Sequence, residues 1–167
     1  MNDQHHSVPS TKEHWASEGS RLYALKKYNE ASAAYEQAVQ LDPTFARALR
    51  NRGLALYKLK HYKKALTAFE QAIQLDPTSA FALRNKGFAL FQLKRYEEAL
   101  TAFEPVIQLD PTDAKAPTGK GFALFQLKRY EEALRAFEQA ILLDPTFTHP
   151  QNGKGLVLHQ LKRYAEA

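Results

Sequence analysis

Apolar positions in this chain follow two alternating helical patterns. In AFALRNKGFALFQLK, Ala80 to Lys94, residues Leu83, Gly87, Leu90 and Leu93 or Lys94 recur at intervals that bring them onto one side of a helix. A second pattern starts near Tyr96 and carries Ala99, Leu100, Phe103, Val106, Ile107 and Leu109 at the same spacing. Asp110-Pro111-Thr112 ends it, because proline cannot continue the hydrogen-bond ladder. Neither helix is long enough to stand alone in water, so each must bury its apolar face against a neighbour.

That neighbour is written into the chain. GFALFQLKRYEEAL, Gly87 to Leu100, returns letter for letter from Gly121 to Leu134, an offset of 34 residues. Looser copies keep the offset: GLALYKLKHYKKAL from Gly53, GLVLHQLKRYAEA from Gly155 and GSRLYALKKYNEA from Gly19. A fixed period of this size marks a stack of like units whose packing contacts repeat. Gly19, Gly53, Gly87, Gly121 and Gly155 hold one register position, and Ala31, Ala65, Ala99, Ala133 and Ala167 another. Glycine inside a helix costs about 1 kcal/mol against alanine, so its recurrence implies a close approach of helices. Tyr35, Phe69, Phe103 and Phe137 fill the wider gap, and Pro43, Pro77, Pro111 and Pro145 close the units.

These residues resemble the tetratricopeptide repeat (TPR) pattern from about Lys12 to Ala167. With each closing proline numbered 32, the family places large residues at 4 and 11, small ones at 8, 20 and 27, and an aromatic at 24. Trp15, Gly19, Leu22, Ala31, Tyr35 and Ala38 supply these in the first unit; Leu49, Gly53, Leu56, Ala65, Phe69 and Ala72 do so in the second. The resemblance implies an all-α, right-handed superhelical solenoid of antiparallel helix pairs, with a concave groove lined mainly by first helices. The expected organisation is a polar tail over residues 1–11, four units (12–45, 46–79, 80–113 and 114–147), and a partial fifth unit or capping helix over 148–167. Residues 1 to about 10 are expected to lack regular structure.

Composition removes several function classes. There is no cysteine, hence no disulfide or thiol chemistry, and the N-terminal MNDQHHSVPS has no apolar signal segment. A cytoplasmic protein without a membrane span is expected. His5, His6, His14, His61, His149 and His159 do not pair at metal-ligand spacing, so no metal or other cofactor is expected. Gly153-Lys154-Gly155 has no preceding strand and is not a phosphate loop; no nucleophile arrangement is recognisable, and the chain reads as non-catalytic. The net charge of +5 raises nucleic acid as a partner, through the basic pairs Lys26-Lys27, Lys94-Arg95, Lys128-Arg129 and Lys162-Arg163. Glu97-Glu98 and Glu131-Glu132 follow at once, and acids opening a helix offset that charge. Solvated turns are therefore the favoured reading, and nucleic acid the lesser one.

Positions that vary between units are free to serve something other than packing. Position 9 carries Leu54, Phe88 and Phe122 in the middle units, and position 12 carries Tyr57, Phe91 and Phe125. Positions 2, 5 and 6 add Arg47, Arg50, Asn51, Phe81, Arg84, Asn85 and Lys115. In the groove that the resemblance implies, these form an apolar aromatic floor beside a basic, amide-bearing side, where a protein or peptide segment would bind. Internal packing does not obviously require the position 9 residues. Family members that serve as heat-shock co-chaperones clamp a C-terminal carboxylate; Arg50, Asn85 and Lys115 match that frame, while Leu54 and Gly119 depart from it. An acidic or carboxylate-ended partner is the general expectation that remains.

Two places break the repeat. Pro105, Pro117 and Gly119 predict a bend or weak point between Glu104 and Gly121. At the end, Leu156, Leu158 and Leu161 lie at repeat positions, while Tyr164 and Ala167 have a role only if a further helix packs on them. The expectation is a fragment of a longer protein or a homodimer through this end, which Leu158→Asp would disrupt. End-to-end self-assembly is the remaining alternative.

Overall fold

The computed structural model describes residues 11–162, and among them every regular element is helical. The helices are α1 (Lys12–Ala24), α2 (Tyr28–Leu41), α3 (Ala46–Lys58), α4 (Tyr62–Leu75), α5 (Ala80–Gln92), α6 (Tyr96–Leu109), α7 (Lys115–Gln126), α8 (Tyr130–Leu143) and α9 (Thr148–Gln160). They fall into two compact units, Met1–Leu75 and Asp76–Ala167. In the first, α1 packs on α2, α2 on α3 and α3 on α4; in the second, the same succession runs from α5 to α9. None of the described helices is long and apolar enough to cross a membrane.

Each helix pair closes on one contact. A Cβ added to Gly19 or Gly53 would stand 2.7 Å from the Tyr35 or Phe69 ring, and one on Gly87 or Gly121 would stand 2.6 Å from Phe103 or Phe137. No real side chain tolerates that distance, so the glycine lets the ring sit against helix backbone. The three phenylalanines are fully buried, at 0% exposure. Where the ring is Tyr35, its hydroxyl donates to Ser20 Oγ at 3.1 Å, which satisfies the one polar atom that this substitution buries.

The turns inside the pairs are equally regular. After α1, the Lys26 amide donates to the Tyr23 carbonyl and the Lys27 amide to Leu22, at 2.9 and 3.0 Å. This is the Schellman arrangement, which needs a left-handed residue just past the helix. Lys26, Lys60, Lys94, Lys128 and Lys162 take that role, with φ of 58–61°, where glycine would be unstrained. Between pairs, Asp42, Asp76, Asp110 and Asp144 each accept from the amide and hydroxyl of the threonine two residues on, an Asx turn around the proline.

At the seam where the copying fails, α6 runs unbroken through Pro105 and matches α2, α4 and α8 at 14 residues. The bond lost is the one to the Thr101 carbonyl; Thr101 is exposed, so solvent can take its place. Gly119 does not loosen the turn. A Cβ there would run into the Phe103 ring, so Gly119 is the site of a close approach between α7 and α6. Pro117 falls in the first turn of α7, where its missing N–H is tolerated, and its ring is fully buried. The expected weak point is therefore a packed seam. The expectations for residues 1–10 and for Arg163, Tyr164 and Ala167 lie outside the described residues.

The strained lysines yield a direct expectation. Lys128→Gly removes a left-handed β-carbon at the cost of a more flexible unfolded chain, and should stabilise the protein by about 0.5–1 kcal/mol. Thermal unfolding should show a rise of roughly 2–4 °C per kcal/mol gained; an unchanged or lower midpoint would contradict the strain.

Candidate interaction face

The first helices carry the variable side chains. On α5 and α7, Phe88 and Phe122 are half-buried and meet Phe103 and Phe137 edge to face, with centroids 5.2 and 4.9 Å apart. Position 9 is thus part of the packing, contrary to the expectation that packing has little need of it. The quadrupoles of two rings favour this geometry, and such pairs add about 0.5–1.5 kcal/mol beyond area burial. Phe91 and Phe125 lie 5.4 and 5.6 Å from Tyr96 and Tyr130, in the same relation that Tyr57 has to Tyr62 at 5.3 Å. Apart from the buried Phe103 and Phe137, these rings remain half-exposed.

The polar residues divide into engaged and open ones. Arg84 stacks at 5.7 Å from the Phe81 ring and forms an ion pair with Asp113, whose side chain is only 4% exposed. Asp113 Oδ1 also accepts from the Lys115 amide at 2.8 Å, capping the start of α7. Asn85 is buried, and its amide donates to the Phe81 carbonyl at 2.7 Å. Lys115 itself is exposed, and its ammonium makes no ion pair with any described residue. Arg84, Asp113, Lys115 and Phe147 border an open cleft of about 300 Å³, together with Asp110 and Asp144. Hydrogen bonds from Thr146, first its hydroxyl and then its amide, hold the Asp144 carboxyl below its ordinary pKa.

In the first unit, α3 carries Arg47, Arg50, Asn51, Leu54 and Tyr57. Arg47 is exposed and stacks 5.3 Å from the Phe45 ring; Arg50, Asn51 and Leu54 are half-buried. The three residues that match the carboxylate clamp are therefore in different states. Arg50 is on α3, Asn85 is turned to its own helix, and Lys115 is open.

The basic turns are largely self-neutralised. Arg95 and Arg129 each hold a glutamate three residues on with two hydrogen bonds of 2.6–2.7 Å, and Lys27 reaches Glu30 at 3.2 Å. These bonds lower the carboxyl pKa of Glu98 and Glu132.

Two polar features were missed in the sequence. Position 34 holds Asp113, where Phe45 and Phe147 stand in other units, and that substitution alone signals its pairing with Arg84. Within each unit, ion pairs also join a second helix to the first helix that follows it: Glu36 to Arg52, Glu104 to Lys120 at 3.4 Å, and Glu138 to Lys154 at 3.0 Å. Acid and base recur there 16 residues apart, a spacing visible only once the register is known. Among the described residues, no three His, Cys, Asp or Glu side chains group to hold a metal ion.

The last described helix corrects another expectation. Leu158 is fully buried within the second unit, while Leu156 is 51% exposed. Leu158→Asp would break the core rather than report on pairing.

Comparison with known proteins agrees with this geometry. The pattern described as TPR repeat matches residues 19–60, and patterns described as tetratricopeptide repeat match 46–79, 68–101 and 90–157. No curated protein matches the chain in sequence. Among solved structures, MamA from Desulfovibrio magneticus RS-1 is similar with a TM-score of 0.86 and 24% identity, over 93% of this chain and 88% of that one. The Pseudomonas aeruginosa pilF structure has a TM-score of 0.83 and 22% identity, over 92% of this chain and 70% of that one. YrrB, described as a TPR protein with an unusual peptide-binding site, has 0.75 and 22%, over 89% and 76%. At these identities the likeness shows the fold, an all-helical solenoid of the tetratricopeptide kind.

The Arg84–Asp113 pair supplies a test of the second unit. Arg84→Met strands a buried carboxylate and should destabilise by about 2 kcal/mol, less than the roughly 3–5 of a fully buried pair. Adding Asp113→Asn should recover most of the loss in chemical denaturation; two additive losses would show that the pair is not coupled.

Proposed function

Because this chain belongs to the tetratricopeptide repeat family, we propose that it is a non-catalytic interaction scaffold that binds a peptide or protein segment along its first helices. The supporting observations are the half-exposed rings on α5 and α7, Phe88, Phe91, Phe122 and Phe125, and the exposed ammonium of Lys115 at the start of α7. Aromatic rings and cations are the side chains that interfaces favour as anchors. Arg84 is spent on Asp113, so the preference for an acidic or carboxylate-ended segment rests on Lys115 in this unit and on Arg47 in the other. A reducing, cytoplasmic setting fits the absence of cysteine. Nucleic acid is the weaker reading, because Arg95 and Arg129 of the basic turns are already held by glutamates.

Peptides selected from an unbiased display library on the immobilised protein test this. Phe88→Leu with Phe122→Leu keeps the packing volume that Leu54 shows to be compatible with position 9, yet removes the rings. That double variant should lose about tenfold in affinity for the selected peptides, an anchor-sized effect, and Lys115→Glu should shift selection away from acidic sequences. Binding unchanged in both would contradict the assignment. A steep fall of affinity with salt for single-stranded or duplex nucleic acid, with no peptide selected, would favour the other reading.

A further inference from the structure

Two of the turns that join one helix pair to the next hold a cation from the first helix of the pair just ended. In the turn after α2, Lys12 Nζ donates to Asp42 Oδ2 at 2.5 Å and lies 5.3 Å from the Phe45 ring centroid. In the turn after α6, Arg84 is the cation and Asp113 the acceptor. The turn after α8 keeps the acceptors without the cation. Asp144 and Phe147 hold the registers of Asp42 and Phe45, and His149 lies beside the Phe147 ring as Arg47 lies beside Phe45. Ala114 and Thr118, both buried and uncharged, hold the registers of Lys12 and Arg84. Both bonds of the Asx turn end on Asp144 Oδ1, and Oδ2 has no hydrogen bond or ion pair with any described residue. Asp144 and Phe147 border the 300 Å³ cleft with Arg84, Asp110, Asp113 and Lys115. Arg84 and Asp113 offset each other, which leaves Asp110 and Asp144 against the single ammonium of Lys115.

We propose that this cleft receives a lysine or arginine side chain of the segment bound along the first helices, its cation set on Asp144 Oδ2 and against the Phe147 ring. The inference rests on the scaffold reading above, because Lys115 belongs both to the cleft and to that face. Lys12 defines the ligand: an alkyl stem ending in a charged donor, held by one carboxylate oxygen and one ring. A cation placed between a carboxylate and an aromatic ring gains from both. An acidic residue next to that cation meets Lys115, so the basic and acidic preferences fall on neighbouring positions of one segment. The ends of this chain are poor sources of the cation. Residues 1–10 contain no lysine or arginine. Helix α9 starts at the cleft, after Phe147, and places Lys162 roughly 20 Å away at its far end.

The test is selection from an unbiased peptide display library on the full chain and, in parallel, on Asp144→Asn. Asparagine keeps the Oδ1 acceptor of the Asx turn, so this variant should unfold near the parent's thermal midpoint, which identifies a folded receiver. Peptides selected on the parent should carry lysine or arginine at one fixed position, and that preference should vanish on Asp144→Asn. Replacing the basic residue by norleucine should weaken binding to the parent about five- to tenfold, but binding to Asp144→Asn by about twofold at most. Phe147→Leu should reduce the parent's loss in the same direction. Selected peptides with no basic position would overturn this proposal and leave the scaffold reading standing; no selected peptide at all would overturn both. A basic preference that survives Asp144→Asn would place the cation elsewhere and overturn the proposal. Self-association of the parent that Asp144→Asn abolishes would assign the cation to a second copy and contradict it as well.

Discussion

The contact on which this fold depends is an aromatic ring pressed onto glycine backbone. Glycine weakens a helix, so its use within first helices is unfavourable taken alone. It becomes favourable when the missing side chain lets Phe69, Phe103 or Phe137 be wholly buried between two helices that could not otherwise approach. Alanines at 0% exposure on the second helices complete the close contact. The same ring then constrains position 9, because Phe88 and Phe122 meet it edge-on. Packing and the candidate interaction face are thus two sides of one aromatic cluster.

Around that contact, polar groups set direction more than strength. The Schellman turns and Asx turns satisfy the helix ends within a few residues, so each unit needs little from its loops. The ladder from Glu104 to Lys120 and from Glu138 to Lys154 joins successive pairs at exposed positions. Exposed pairs of this kind contribute little energy, about 0.2–1 kcal/mol each. Lys12 and Asp42 play a similar part at the start of the first unit, where hydrogen bonds from Lys12 and then Thr44 lower the Asp42 pKa to about 2.

Much of this was legible in the sequence because the same packing problem is solved in each unit. Helical spacing, the glycine register and the closing prolines announce all-helical repeats before any coordinate is known. What escaped was whatever depends on a partner far along the chain. Arg84 reads as an open groove cation until Asp113, 29 residues on, is seen beside it. Gly119 reads as a weak point from helix propensity alone; only the Phe103 ring reveals it as a contact. Pro105 reads as a kink, but its effect depends on which side of α6 faces solvent. Phe88 and Phe122 read as free to bind because their variation between units hides a packing role shared with Phe103 and Phe137.

The ring-on-glycine contact is tested most directly by a double-mutant cycle on Gly121 and Phe137, read by chemical denaturation. Gly121→Ala alone should destabilise by about 1–3 kcal/mol through overpacking against the ring. In a Phe137→Val background, where the side chain stops short of the notch, the same substitution should become neutral or stabilising by up to about 1 kcal/mol, as helix propensity dictates. That reversal of sign is the predicted result. Equal effects of Gly121→Ala in both backgrounds would contradict the account, since the glycine would then be present for some reason other than the ring.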